Sequence, residues 1–102
     1  HFKVGSSTNQ LNWNTTDLSF TGPLTASGDL VPSVHNTYDL GADSYRWANI
    51  YTADLQLSNE NATPNEIDGT TGSWTIQEGE DDLYLLNRKN GKKYRFKLEE
   101  IE

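Results

Sequence analysis

The 102-residue chain has no cysteine, so disulfides and thiolate metal ligands are excluded. It has no methionine either; with His1 as its first residue it is expected to be a fragment or a processed piece. Its two histidines, His1 and His35, are too few for an imidazole metal centre. No stretch approaches the roughly 18 consecutive apolar residues of a membrane-spanning helix. No signal-peptide pattern is visible, and no membrane insertion is expected.

Hydrophobic residues are scarce at 33%, against the roughly 45–50% of an ordinary soluble domain counted with glycine. A chain this small and polar buries too little surface to offset the entropy of ordering. Three Trp, five Tyr and three Phe speak against wholesale disorder, because disordered segments are poor in aromatics. The composition therefore points to several chains sharing one core.

Positive charge is scarce and unevenly placed. The net charge is −7, which disfavours nucleic acid as a partner. Arg46 is the sole basic residue between Val4 and Asn87; then Arg88, Lys89, Lys92, Lys93, Arg95 and Lys97 follow closely. This run reads first as the solvated face of a hairpin, and second as a contact for an anionic glycan or a phosphate backbone.

What is present is β-like. Residues 1–35 are rich in Asn, Thr, Ser and Gly, with short apolar alternations at Leu11 and Trp13, Leu18 and Phe20, and Leu30 and Val31. Turn signals at Thr21-Gly22-Pro23, Ser27-Gly28-Asp29 and Val31-Pro32-Ser33 separate them, predicting short strands in a polar, shaft-like segment. Residues 36–58 carry a turn at Asp39-Leu40-Gly41-Ala42-Asp43, a helical turn over Ser44–Ala48, and a strand over 46–57 with Tyr51, Ala53, Leu55 and Leu57 on one face. Residues 59–71 read as a linker. Residues 72–102 predict a three-stranded antiparallel meander: Trp74 and Ile76, then Leu83–Asn87, then Tyr94, Phe96 and Leu98, facing inward, after a two-residue type I′ turn at Asn90-Gly91. The fold class is all-β, of short antiparallel strands.

No catalytic or metal site is expected. The acids Glu78, Glu80, Asp81 and Asp82 lack the spacing of a calcium loop and read as a solvated turn. The eight glycines are scattered as turn formers, with no phosphate-cradling loop. With fifteen acids, a carboxylate pair of hydrolase type carries no weight. His35, with Ser33 and Asp39 nearby, reads as a turn histidine rather than part of a triad. Trp13 stands in a polar stretch and is a candidate sugar-stacking platform; Trp47 and Trp74 read as core. Asn14-Thr15-Thr16 and Asn61-Ala62-Thr63 fit the N-glycosylation pattern, which matters only in a secretory pathway.

Two stretches carry a resemblance. Tyr38-Asp39-Leu40-Gly41, Tyr45-Arg46-Trp47 and Ile50-Tyr51 resemble a segment recurrent in bacteriophage tail-fibre and related virion fibre proteins. Gly72–Leu83 together with Asn90-Gly91-Lys92-Lys93-Tyr94 is similar to a C-terminal segment of structural proteins from tailed phages of marine cyanobacteria. The resemblance implies an intertwined parallel homotrimer located in the virion, with other virion proteins as partners and no cofactor. It implies a trimer core of Leu40, Trp47, Ile50, Leu55, Leu57 and Phe96, and a pairing of Arg46 with Asp39 or Asp43 of its own or a neighbouring chain, with a plain surface pair as the alternative. A host surface glycan or receptor is a further expected partner, met through Trp13, Lys92 and Lys93. The alternatives are a glycan-binding β module, a trimerisation or capping domain of a larger fibre or depolymerase, and a depolymerase fragment with enzymatic activity. A self-trimming chaperone domain, which such segments often precede, does not fit in the residues that follow.

Overall fold

A computed structural model describes residues 19–102. The chain divides into two units, His1–Ser33 and Val34–Glu102. The expected alternation at Leu11, Trp13 and Leu18 lies outside the described residues, as does the Asn14 acceptor site. Within 19–33 there are bends at 21–22 and 27–28 but no strand. The expected strand at Leu30 and Val31 does not form: both side chains are exposed, and Pro32 has no N–H to give a ladder.

Residues 34–102 contain one antiparallel sheet of four strands and no helix. The strands are β1 (Leu55–Ser58), β2 (Ser73–Glu78), β3 (Leu83–Asn87) and β4 (Lys93–Arg95). Spatial order follows chain order. The chain is thus all-β among the described residues. The sheet contains a strand that local pattern assigned to another segment: β1 pairs with β2 across the stretch expected as a linker. Of the predicted 46–57 strand only Leu55–Leu57 is extended and paired, in a strand that runs on to Ser58. The helical turn over Ser44–Ala48 is replaced by a tight hairpin. Ala42 and Tyr45 exchange both backbone hydrogen bonds at 3.0 Å, and Asp43 and Ser44 form its tip.

The register sorts the side chains. Partners directly opposite in an antiparallel ladder lie on one face, and neighbours along a strand alternate. One row runs Leu55, Ile76, Leu85, Tyr94; the next runs Leu57, Trp74, Asn87. Leu83 lies opposite Glu78 and receives the Phe96 N–H at its carbonyl, at 2.9 Å. One face is therefore Leu55, Leu57, Trp74, Ile76, Leu83, Leu85, Tyr94 and Phe96, with Glu78 and Asn87 at its ends. The other carries Gln56, Ser58, Ser73, Thr75, Gln77, Tyr84, Leu86, Lys93 and Arg95.

The polar face is locked by a hydrogen-bond ladder. The Thr75 hydroxyl donates to Gln56 Oε1 at 2.6 Å and accepts from Arg88 Nε at 2.9 Å. Thr75 is 0% exposed and is the one fully buried side chain among the described residues. Its donor and an acceptor site are both used, as burial of a hydroxyl demands.

The turns follow side-chain chemistry. Gly79 N donates to Asp82 O at 2.7 Å, closing the β2–β3 connection with Glu80 and Asp81 at its tip. At the β3–β4 connection the expected type I′ turn does not form. That turn needs positive φ at both central residues, and only Gly91 has it, at 75°. Asn87 Oδ1 accepts from Lys89 N at 2.9 Å and Asn90 N at 3.3 Å, so the turn begins earlier. Gly91 N then returns to Asn87 O at 2.9 Å.

Candidate assembly interface

The uncharged stretch of the apolar face is continuous across all four strands, yet no hydrophobic side chain among the described residues is buried. Ile76, Leu85, Trp74 and Phe96 are half-buried. On the outer strands Leu55, Leu57 and Tyr94 are 46%, 47% and 45% exposed. A sheet needs a second layer over its apolar face to be stable. Within this unit the face meets water, apart from a Trp74–Tyr94 ring pair whose centroids are 5.7 Å apart across β3.

Three of the six expected core residues, Leu55, Leu57 and Phe96, share this face. Leu40, Trp47 and Ile50 stand elsewhere in the same unit, where they line one shallow concavity with Asp39, Gly41, Ala42, Asp43 and Arg46. Gly41 positions Trp47. Its φ is +88°, and a Cβ there would lie 3.4 Å from Trp47 Cδ1 and 3.2 Å from Tyr45 O. The indole thus rests on the glycine, with 63% of Trp47 open to solvent. Within one chain Arg46 does not meet the Asp39 or Asp43 carboxylate. Its Nε donates to the Asp43 backbone carbonyl at 2.7 Å, which braces the hairpin.

Lys92 and Lys93 are exposed at the β3–β4 turn and the start of β4. Trp13 lies outside the described residues. Trp74, expected in the core, is half-buried on the apolar face. Ile76, Leu83 and Leu85 complete that face and were absent from the expected core; Tyr94, expected to face inward with Phe96 and Leu98, joins it, while Leu98 lies past the end of β4 and is exposed. The period-two pattern at 74–76 and 83–85 carried the signal; what hid it was the missing strand pairing.

The connection from Asn59 to Gly72 is a tied loop. Asn59 N donates to Gly72 O at 3.3 Å, and Gly72 N donates to Asn59 Oδ1 at 2.7 Å. Asn65 Nδ2 donates to Asp68 Oδ1 at 2.8 Å and to Thr70 O at 2.9 Å, while Asn65 Oδ1 accepts from Ile67 N and Asp68 N. Asp68 Oδ1 also accepts from the Thr70 hydroxyl at 2.8 Å and Thr70 N at 3.1 Å. The Thr70 hydroxyl, then the Asn65 amide, then the Thr70 N–H hold the Asp68 carboxyl below the ordinary aspartate range. The clasp holds Ile67 at the loop tip, 91% exposed. Where the loop meets the sheet, Asn59, Asn65 and Thr70 form a cleft with Leu57 and Trp74.

Among the described residues no cluster of His, Asp or Glu could hold a metal ion, and no helix is long and apolar enough to cross a membrane. Comparison with protein-family models, with curated proteins and with solved structures found no match for this chain.

Proposed function

We propose that the chain is a structural segment of a bacteriophage virion, a tail fibre or related appendage. Three parallel copies wrap a common axis and turn their apolar sheet faces toward it. One observation carries this reading: a sheet whose face bears eight apolar side chains in a unit with no buried hydrophobic residue among those described. Such a face is stabilised only by a second apolar layer. Covering the exposed half of Leu55 or Leu57 contributes about 1 kcal/mol apiece at the usual value for apolar burial. The resemblance of the Asp39–Tyr51 pattern to virion fibres supplies the parallel three-fold arrangement and the virion location. The concavity at Leu40, Trp47 and Ile50 is then a second place where copies meet. The antiparallel strands from 73 onward form a terminal meander that ends or caps the fibre, with Lys92 and Lys93 outward where a host glycan or receptor is met. The role is mechanical and not catalytic.

Antibodies raised against the chain test this on particles purified by density gradient. Labelling of a fibre or appendage in electron micrographs is the expected result. A chain recovered from infected cells but absent from purified particles would overturn the reading.

A further inference from the structure

We infer that the open edge of β1 in one copy pairs antiparallel with the open edge of β4 in the next, so that three four-stranded sheets close into one continuous wall. This rests on the three-fold assembly proposed above and adds which edges meet and in what register.

The two outer strands of the sheet are β1 and β4. In an antiparallel ladder each residue directs both backbone groups to the same side, alternating along the strand. The bond from Asn59 N to Gly72 O sets this phase for β1, so Leu55 and Leu57 bond inward to β2. Gln56 and Ser58 therefore direct their N–H and C=O to the free edge. The bonds from Asn87 N to Lys92 O and from Phe96 N to Leu83 O do the same for β4. Lys93 and Arg95 direct theirs to the opposite free edge.

The β1 edge has none of the features that prevent strand addition. Its sequence is Leu-Gln-Leu-Ser, with no charge, proline or bulge. The occupant must complement it on three counts: free backbone groups, apolar side chains on the inner face, and cationic ones on the outer face, where Asp54 precedes the strand. β4 of a second copy meets all three, with Tyr94 and Phe96 inside and Lys93 and Arg95 outside.

Symmetry fixes the register. Leu55, Ile76, Leu85 and Tyr94 lie in one row. A rotation about an axis along the strands moves nothing up or down. Leu55 of the next copy then falls opposite Tyr94, Gln56 opposite Lys93, and Asp54 opposite Arg95. In that register the free backbone groups of Gln56 face those of Lys93, and an acid meets a base. The dimensions agree. Strands about 4.8 Å apart make a four-stranded wall about 19 Å wide, and three such walls place the axis about 5.5 Å from each, close to half the ~10 Å spacing of packed sheets. Four walls would leave a hollow.

The absence of cysteine in the chain makes the test direct. The double variant Gln56→Cys, Lys93→Cys is treated with a short bismaleimide. Within one chain these sites are three strand spacings apart, about 14 Å, beyond a shorter reagent. Covalent dimers and trimers on a denaturing gel are expected, with neither single variant giving a covalent dimer. A covalent dimer from Gln56→Cys alone means β1 pairs with β1 and overturns the seam. In the unaltered chain, the amides of Gln56 and Lys93 are expected to exchange with deuterium at least tenfold slower than solvated amides. Solvated rates in a chain of confirmed three-fold mass overturn the seam and leave the assembly standing; a monomeric mass overturns both.

Discussion

Thr75 shows how a single polar residue can be placed inside a sheet with so little apolar cover. Its hydroxyl bridges Gln56 and Arg88, joining β1, β2 and the end of β3. Thr75→Val keeps the shape and removes both bonds, leaving Gln56 Oε1 and Arg88 Nε to find water. The expected loss is about 1–2 kcal/mol, read as a lower urea midpoint at fixed protein concentration; Thr75→Ser retains most of it. An unchanged midpoint in Thr75→Val would remove the ladder from the account. Asp68 gives a pH test at the same scale. Its folded pKa is depressed by hydrogen bonds to the ionised form. A depressed carboxyl contributes stability that is fully present above the ordinary aspartate value and is lost as pH falls through the depressed one. The clasp is therefore expected to survive mild acidification and open only below the ordinary aspartate range. Carbon-detected NMR titration of the Asp68 carboxyl checks this, and a midpoint at or above the ordinary value would contradict it.

At the scale of elements, the sheet is two-sided and the sides have separate duties. Ile76 and Gln77 are neighbours on β2 that face opposite ways. Ile76→Lys puts a charge in the middle of the apolar face and is expected to abolish self-association at micromolar concentration. Gln77→Lys is expected to leave it intact, since a lysine there can still reach Asp54, which Gln77 Nε2 now contacts at 3.2 Å. Sedimentation velocity of the two variants separates them; equal behaviour would mean that the apolar face is not the contact. Much of this element was legible in the sequence. Alternation at 74–76 and 83–87 marks β2 and β3 because period two is a local property; the alternation at 94–98 overruns β4, which ends at Arg95 and leaves Leu98 exposed. The pairing of β1 with β2 was not legible, since it depends on a loop whose order comes from side-chain bonds. Asn59, Asn65, Asp68 and Thr70 have the composition of a linker, and only their mutual geometry makes them a clasp. Asn90-Gly91 misled for a related reason: Asn87, three residues earlier, captures the turn with its own side chain. Trp47 packs one side of its ring on Gly41 and leaves the other open, the side that a neighbouring copy covers in the proposed assembly.

At the scale of the whole molecule, the scarcity of apolar residues and the open sheet face state the same fact twice. In the assembly proposed above the two act together: the strand register gathers the apolar side chains on one face, and neighbouring copies cover it. Leu55, Leu57 and Phe96 on one face are what the sequence alone could assign to that layer. Trp74, which also read as core, and Tyr94, which the alternation turned inward, belong with them; Ile76, Leu83 and Leu85 joined once the strands were paired. The account is tested most directly by sedimentation equilibrium of the folded chain at micromolar concentration. It predicts a single species of three times the 11.5 kDa chain mass, whereas a folded, stable species of one chain mass at that concentration would contradict it.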